Sequence, residues 1–203
     1  MPLKLQERHR IAAAIKQAES GTSGEIVCVL ARSSGDYGTL PLIWAAMVAL
    51  ALPWPLIALT QYPVQRIYVL QLLVFCLLAL VLTLSRLRLA LVPRRFRRAQ
   101  AHRAAAEQFL TRGLSRTSGR TGVLIFVSLA ERYARIIGDD GIAAKVERSE
   151  WQSLVDALTA RMRRDEIAEG FVEAVAAAGL LLAKHFPPGA YNRDELPDRI
   201  YVI

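Results

Sequence analysis

Apolar and polar positions alternate along the chain in three distinct ways, and each predicts a different kind of element. Leu5, Arg8, Ile11, Ala12, Ile15 and Ala18 recur at helical spacing, which predicts a helix over Leu5–Glu19 with Gly21 to end it. Glu25–Ala31 (EIVCVLA) is apolar on both faces from Ile26 onward. That pattern belongs to a buried strand of the parallel kind. A much longer apolar pattern follows. Tyr37–Gln65 and Ile67–Ser85 contain no Asp, Glu, Lys or Arg, and only Arg66 separates them. About 20 apolar residues in a helix cross a bilayer. Leu40–Leu59 and Ile67–Leu84 are therefore predicted as two spans, joined by a tight link, Thr60–Arg66, that contains Pro63. Pro53 and Pro55 should kink or end the first span near its far side. Two buried core helices are the alternative.

Beyond the apolar block the short-range patterns resume. Pro93–Leu114 reads as a basic, then amphipathic, helix, with Ala101, Ala105, Phe109 and Arg112 spaced by about four. Gly122–Leu129 (GVLIFVSL) reads as a second buried strand. Tyr133–Asp139 reads as a third, returning antiparallel after the turn Ala130–Arg132. Ser149 with Gln152 is predicted to cap a helix carrying Trp151, Leu154, Val155, Leu158 and Met162 on its apolar stripe. Asp165 is predicted to cap a helix over Glu166–His185, stopped by Pro187-Pro188-Gly189. Within the tail Asn192–Ile203, RIYVI offers a last short strand.

One helix and one doubly apolar strand cannot bury themselves. The first strand should therefore pair in parallel with Val123–Val127, through a crossover that includes the helix near Ala99–Arg112. The fold class expected is α/β, a small three-layer sandwich with a mixed sheet, interrupted by a transmembrane helical hairpin. The domain boundaries expected are 1–38 and 93–203 for the two parts of the sandwich and 39–92 for the hairpin.

Charge settles which partner the apolar block implies. The 203 residues carry a formal +8 and are 53% hydrophobic. Arg86, Arg88, Arg94, Arg95, Arg97, Arg98 and Arg103 follow the second span without an intervening acid, leaving +1 for the rest of the chain. Only Phe96 lies among them, which is not the interleaving of aromatics that a nucleic-acid surface needs. These seven arginines are assigned to anionic lipid headgroups, and no nucleic acid is expected. Their excess over the single arginine of the link predicts both termini in the cytoplasm of a multi-pass protein of the bacterial inner membrane. The first 20 residues hold Lys4, Glu7, Arg8, Arg10, Lys16 and Glu19, which is no secretory signal. Cys28 and Cys76 lack metal-ligand spacing.

Thr22–Ala31 (TSGEIVCVLA), Thr121–Ile142 (TGVLIFVSLAERYARIIGDDGI), the Trp151 helix and EGFVEAVAAAGLLLAKHF together resemble the TPM-domain family, and in particular a bacterial membrane branch in which a two-span hairpin interrupts the domain. The resemblance covers most of Leu5–Ala31 and Arg97–Pro188. It implies a small α/β/α sandwich. Members are linked to thylakoid lumen proteins that support photosystem repair, to weak acid-phosphatase activity and to modulation of membrane receptors. Several carry acidic metal sites near strand ends. Most of those domains are exported, whereas the charge pattern here predicts a cytoplasmic one.

Candidate chemistry is sparse. Asp139 and Asp140, beside Gly141 at a strand end, could hold a divalent cation through oxygen, with Glu25 and Glu131 as weaker candidates. A solvated Asp-Gly turn is the alternative. His9, His102 and His185 lie on three different predicted helices without ligand spacing. Ser115–Thr121 has hydroxyls, Gly119 and two arginines but lacks P-loop spacing. No nucleophile elbow is present. No catalytic residue is assigned. Two functions remain: a membrane module that binds a protein partner or forms a homo-oligomer, and a slow metal-dependent phosphomonoesterase.

Overall fold

The computed structural model describes residues 3–35, 37, 39–84, 92–117, 119–188 and 195–203. The chain forms two compact units, one of Met1–Ser34 with Arg98–Ile203 and one of Gly35–Arg97.

The first unit is an α/β fold around a mixed four-stranded sheet. β1 (Glu25–Ala31) and β2 (Gly122–Ser128) are buried at every position. A strand apolar on both faces belongs in the middle of a sheet covered by helices, and the strand order β3-β2-β1-β4 places both there. β1 and β2 pair in parallel, with Glu25 opposite Gly122 and Ala31 opposite Ser128. β3 (Tyr133–Gly138) returns antiparallel along β2. β4 (Ile200–Val202) pairs in parallel with β1.

Alternate residues of the strands face two apolar layers. Ile26, Cys28, Leu30, Val123, Ile125 and Val127 pack with α1 (Leu5–Glu19), α7 (Arg148–Arg163) and α8 (Ile167–His185). Val27, Val29, Ala31, Leu124 and Phe126 pack with Ala105 and Phe109 of α5 (Arg94–Thr111) and with Leu114. Gly113, at φ +77°, ends α5 in the left-handed conformation that glycine adopts without cost. It precedes a 3₁₀ turn, Leu114–Arg116. Burial pushes the Cys28 thiol well above its ordinary range, as befits an inert core residue.

Several expected boundaries move. β3 ends at Gly138, and Asp139 caps a short helix not foreseen, α6 (Asp140–Ala143). Ser149 does not cap α7. Glu147 does, accepting from the N3 backbone while Glu150 reaches back to the N-cap. A glutamate can serve here because the chain enters in extended conformation and the helix dipole favours acid. Glu166 occupies the position before α8, and Asp165 sits in the preceding turn at φ +63°.

In the second unit, α2 (Thr39–Ala51) breaks at Leu52, and Pro53 starts α3 (Pro53–Leu59) at a first-turn position that lacks a helical donor anyway. α4 covers Val64–Leu84 and so includes Arg66, which was expected in the link. α2 packs along α4. Ala45 and Ala49, one turn apart, are buried, and Ala49 lines a cavity with Tyr68, Leu72 and Phe75. Small residues at that spacing let helices approach closely.

Candidate functional site

A cleft of about 670 Å³ in the first unit opens where β2 ends and β3 begins. Ligands of α/β sheets collect at the carboxyl ends of parallel strands, and the geometry here is built for it. Ser128, the last residue of β2, is buried and donates its hydroxyl to Glu131 Oε2. Glu131 Oε1 accepts from Ser33 Oγ (3.2 Å) and Ser34 N (3.0 Å), so one buried carboxylate ties together the segments leaving β1 and β2. Arg132 follows at φ +50°. Left-handed geometry at a residue other than glycine costs on the order of 1 kcal/mol. Of the three such residues described, Arg132 and Asp165 both line this cleft.

The opposite wall is the end of α7 and the turn into α8. Arg161 fixes that turn. Its guanidinium bonds Glu166 (2.7 Å) and Glu173 (2.5 Å), and these two partners raise its already high pKa. Thr159, Met162, Arg163 and Ile167 complete the lining. Arg132 and Arg163 form no ion pair among the described residues, whereas Arg161 does. The cleft therefore presents two guanidiniums outside any ion pair among the described residues, with Asp165, over a lining of mixed polarity. Sequence patterning singled out Glu131 alone of these residues. Left-handed backbone at Arg132 and Asp165 leaves no mark in hydrophobic periodicity, although a polar residue in a short turn is where it occurs.

Asp139 and Asp140 lie at the other end of the sheet. Asp139 N donates to Gly122 O at the start of β2, and Glu25 pairs with Gly122 from the β1 side. Asp139 and Glu25 thus flank one residue, while Glu131 is at the far end of the same strands. Asp139 Oδ1 accepts from Asp140 N, and its buried Oδ2 has no hydrogen-bond partner among the described residues. Asp140 is exposed and pairs with Arg120 at 3.1 Å. The Glu25 carboxylate accepts from Glu195 N and Leu196 N at 3.3 and 3.2 Å. Among the described residues no three His, Cys, Asp or Glu side chains gather in a group fit for a metal ion.

Two hydroxyls of the Ser115–Thr121 loop are used internally, and Ser118 lies outside the described residues. Thr117 Oγ1 bonds Leu114 O, and Thr121 Oγ1 bonds Ser23 O. His9, His102 and His185 sit on α1, α5 and α8, and His102 Nδ1 rests 2.7 Å from Arg135. Of the arginines that the sequence assigned to lipid headgroups, Arg94, Arg95, Arg98 and Arg103 are exposed on α5 and Arg97 is half-buried. Arg86 and Arg88 lie outside the described residues.

Residues 82–180 match the model of the TPM domain family. Those residues carry a TPM domain. The match takes in β2, β3, α7 and most of α8, and with them the cleft. It leaves out β1, which the parallel register nonetheless makes a central strand of the same sheet as the TPM domain. The fold is also similar to the NMR structure of BA42 protein from the psychrophilic bacterium Bizionia argentinensis, at a TM-score of 0.63 and 21% identity, over 100% of this chain and 97% of that one. At that identity the likeness speaks for the fold of the TPM domain alone. No curated protein matches the chain.

Proposed function

We propose that the protein is an integral membrane protein whose TPM domain is a binding module held at the cytoplasmic face of the bacterial inner membrane. The observation that carries this reading is the exposure of the two apolar helices. Pro41–Leu59 and Val64–Thr83, 19 and 20 residues long, are only 11% and 6% buried. A soluble protein rarely leaves so much contiguous apolar surface in water, and lipid is the medium that removes the cost. The arginine excess after the second helix favours cytoplasmic termini. Trp44, Trp54, Tyr62 and Tyr68 are exposed side chains of the kind that seat at a bilayer interface.

Within the TPM domain the cleft supports binding. Arg132 and Arg163, two cations to the single acid Asp165 in the lining, suit an acidic segment of a partner protein. Phosphomonoesterase chemistry on Asp139 and Asp140 draws less support, because Glu131 is committed at the opposite end of the sheet and Glu25 to two backbone donors.

Alkaline carbonate extraction and reporter fusions test the reading together. The chain should stay with the membrane pellet. A phosphatase reporter should be silent after Ile203 and active within Thr60–Arg66. Release into the carbonate supernatant, or the reverse reporter pattern, refutes it.

A further inference from the structure

The outward face of α5 bears an apolar stripe that the fold does not use. Ala101, Ala105 and Phe109 are buried against the sheet. Phe96, Ala99, Ala106 and Leu110, with Arg103 between them, lie on the opposite side of the helix. Phe96 and Leu110 are each 65% exposed. They stand about 21 Å apart along the axis, fourteen residues at a 1.5 Å rise. Arg95 and Arg103 are exposed beside them, whereas Arg94 and Arg98, also exposed, continue the side of Ala101 and Ala105; Glu107, the only acid on the helix, lies one turn beyond Arg103.

The charges of the two helical layers differ in state as well as number. On the other side of the sheet, Arg10 pairs with Glu169 between α1 and α8, and Arg161 with Glu166 and Glu173 between α7 and α8. No α5 arginine is in an ion pair among the described residues. An exposed apolar stripe flanked by unneutralised arginines is the pattern of a helix that lies in a lipid–water interface. The chain position agrees, because only residues 85–93 separate the end of α4 from the start of α5. Such a tether reaches about 30 Å at full extension.

We infer that α5 lies flat on an anionic bilayer surface, with Phe96 and Leu110 inserted below the headgroups and Arg95 and Arg103 on lipid phosphates. This assigns the α5 layer of the sandwich to the membrane and leaves the α1, α7 and α8 layer to solvent. The inference rests on the reading of α2–α4 as membrane spans, and the two can fail separately.

The test uses the full chain with Cys76→Ala, reconstituted in vesicles, with an environment-sensitive NBD label at Leu110→Cys or, as a control, at Leu180→Cys. Leu180 is 77% exposed on α8. In vesicles containing about a third phosphatidylglycerol, the Leu110 label should shift to the blue and be quenched several-fold more by lipid-borne nitroxide than the Leu180 label. The difference should shrink in pure phosphatidylcholine, in 0.5 M salt, which cuts the screening length to a few ångströms, and after Arg95→Glu with Arg103→Glu. A Leu110 label as water-exposed as the Leu180 label, in chains that resist carbonate extraction, overturns the inference and leaves the spans intact. A blue shift that ignores lipid charge but grows with protein-to-lipid ratio also overturns it, in favour of a second copy on the stripe. Loss of the chain from the vesicles in carbonate overturns the spans.

Discussion

Glu19 is a residue whose chemistry departs far from its usual range. It closes α1 beside the start of β1, and one carboxyl oxygen accepts from Ile26 N at 2.6 Å. Burial, then a hydrogen bond with Asp198, pushes its pKa up to about 10. The folded protein therefore keeps a proton that the unfolded chain gives up near its ordinary value of 4.5. The associated stability is complete below about pH 4.5 and declines as pH rises toward 10. Glutamine keeps the neutral group, the acceptor for Ile26 and a donor for Asp198. Glu19→Gln should match the parent at pH 4 and exceed it at pH 8 by at least about 1 kcal/mol, roughly 2–4 °C in Tm. Thermal unfolding across pH checks it, and a constant or shrinking gap refutes the assignment. No sequence pattern announces such a group: Glu19 looked like an ordinary acid in a last helical turn until the tail beyond Glu195 closed over it.

At the scale of elements, periodicity was a good guide wherever burial decides conformation. β1 and β2 were legible because six or seven consecutive apolar residues have no other place in a small α/β fold. α5 and α8 were legible because their stripes face a core. What escaped was decided by single hydrogen bonds. Glu147 outcompeted Ser149 at the start of α7, and Asp139 left β3 to cap α6. The cleft escaped because its lining comes from the ends of β2, β3, α7 and α8, which the periodicity of each element does not bring together. One packing detail between elements gives a direct test. A Cβ on Gly179 of α8 would sit 2.6 Å from Ala18 Cβ of α1, and neither neighbour can rotate away. Gly179→Ala gains helix propensity of up to ~1 kcal/mol but forces the two helices apart at a cost of about 1–3 kcal/mol. It should lower stability by about 1 kcal/mol or more. Gly21→Ala meets nothing nearer than 3.8 Å and should be within ~0.5 kcal/mol of the parent. Paired urea melts in detergent distinguish the two. Equal midpoints would mean the α1–α8 crossing is looser than described.

For the whole molecule, the informative fact is that a central strand and its partner come from opposite sides of the apolar unit. β1 contributes to both faces of the sheet and to both apolar layers. Replacing Gly38–Val92 with a short Gly/Ser linker should leave a soluble chain that unfolds cooperatively. The fragment Pro93–Ile203 should aggregate, because the open edge of β2 offers a template for other chains. Thermal or urea unfolding of both decides it. A stable, monomeric fragment with the same cooperativity as the spliced chain would show that β1 is dispensable.

The β1–β2 register also sets a clock on biosynthesis. β2 and β3 are joined by a short turn and can pair within microseconds of leaving the ribosome. β1 cannot, because all of residues 32–121 must be made before its partner exists. At ~5–20 residues per second that is a delay of about 5–20 s. Throughout it a seven-residue strand, apolar from Ile26 onward, has two unsatisfied edges and only α1 for cover. The nascent amino-terminal segment is thus a natural client for a chaperone. Any event that stalls synthesis within the apolar helices leaves that strand waiting longer, so stalled chains should be cleared by proteases from the amino-terminal side first.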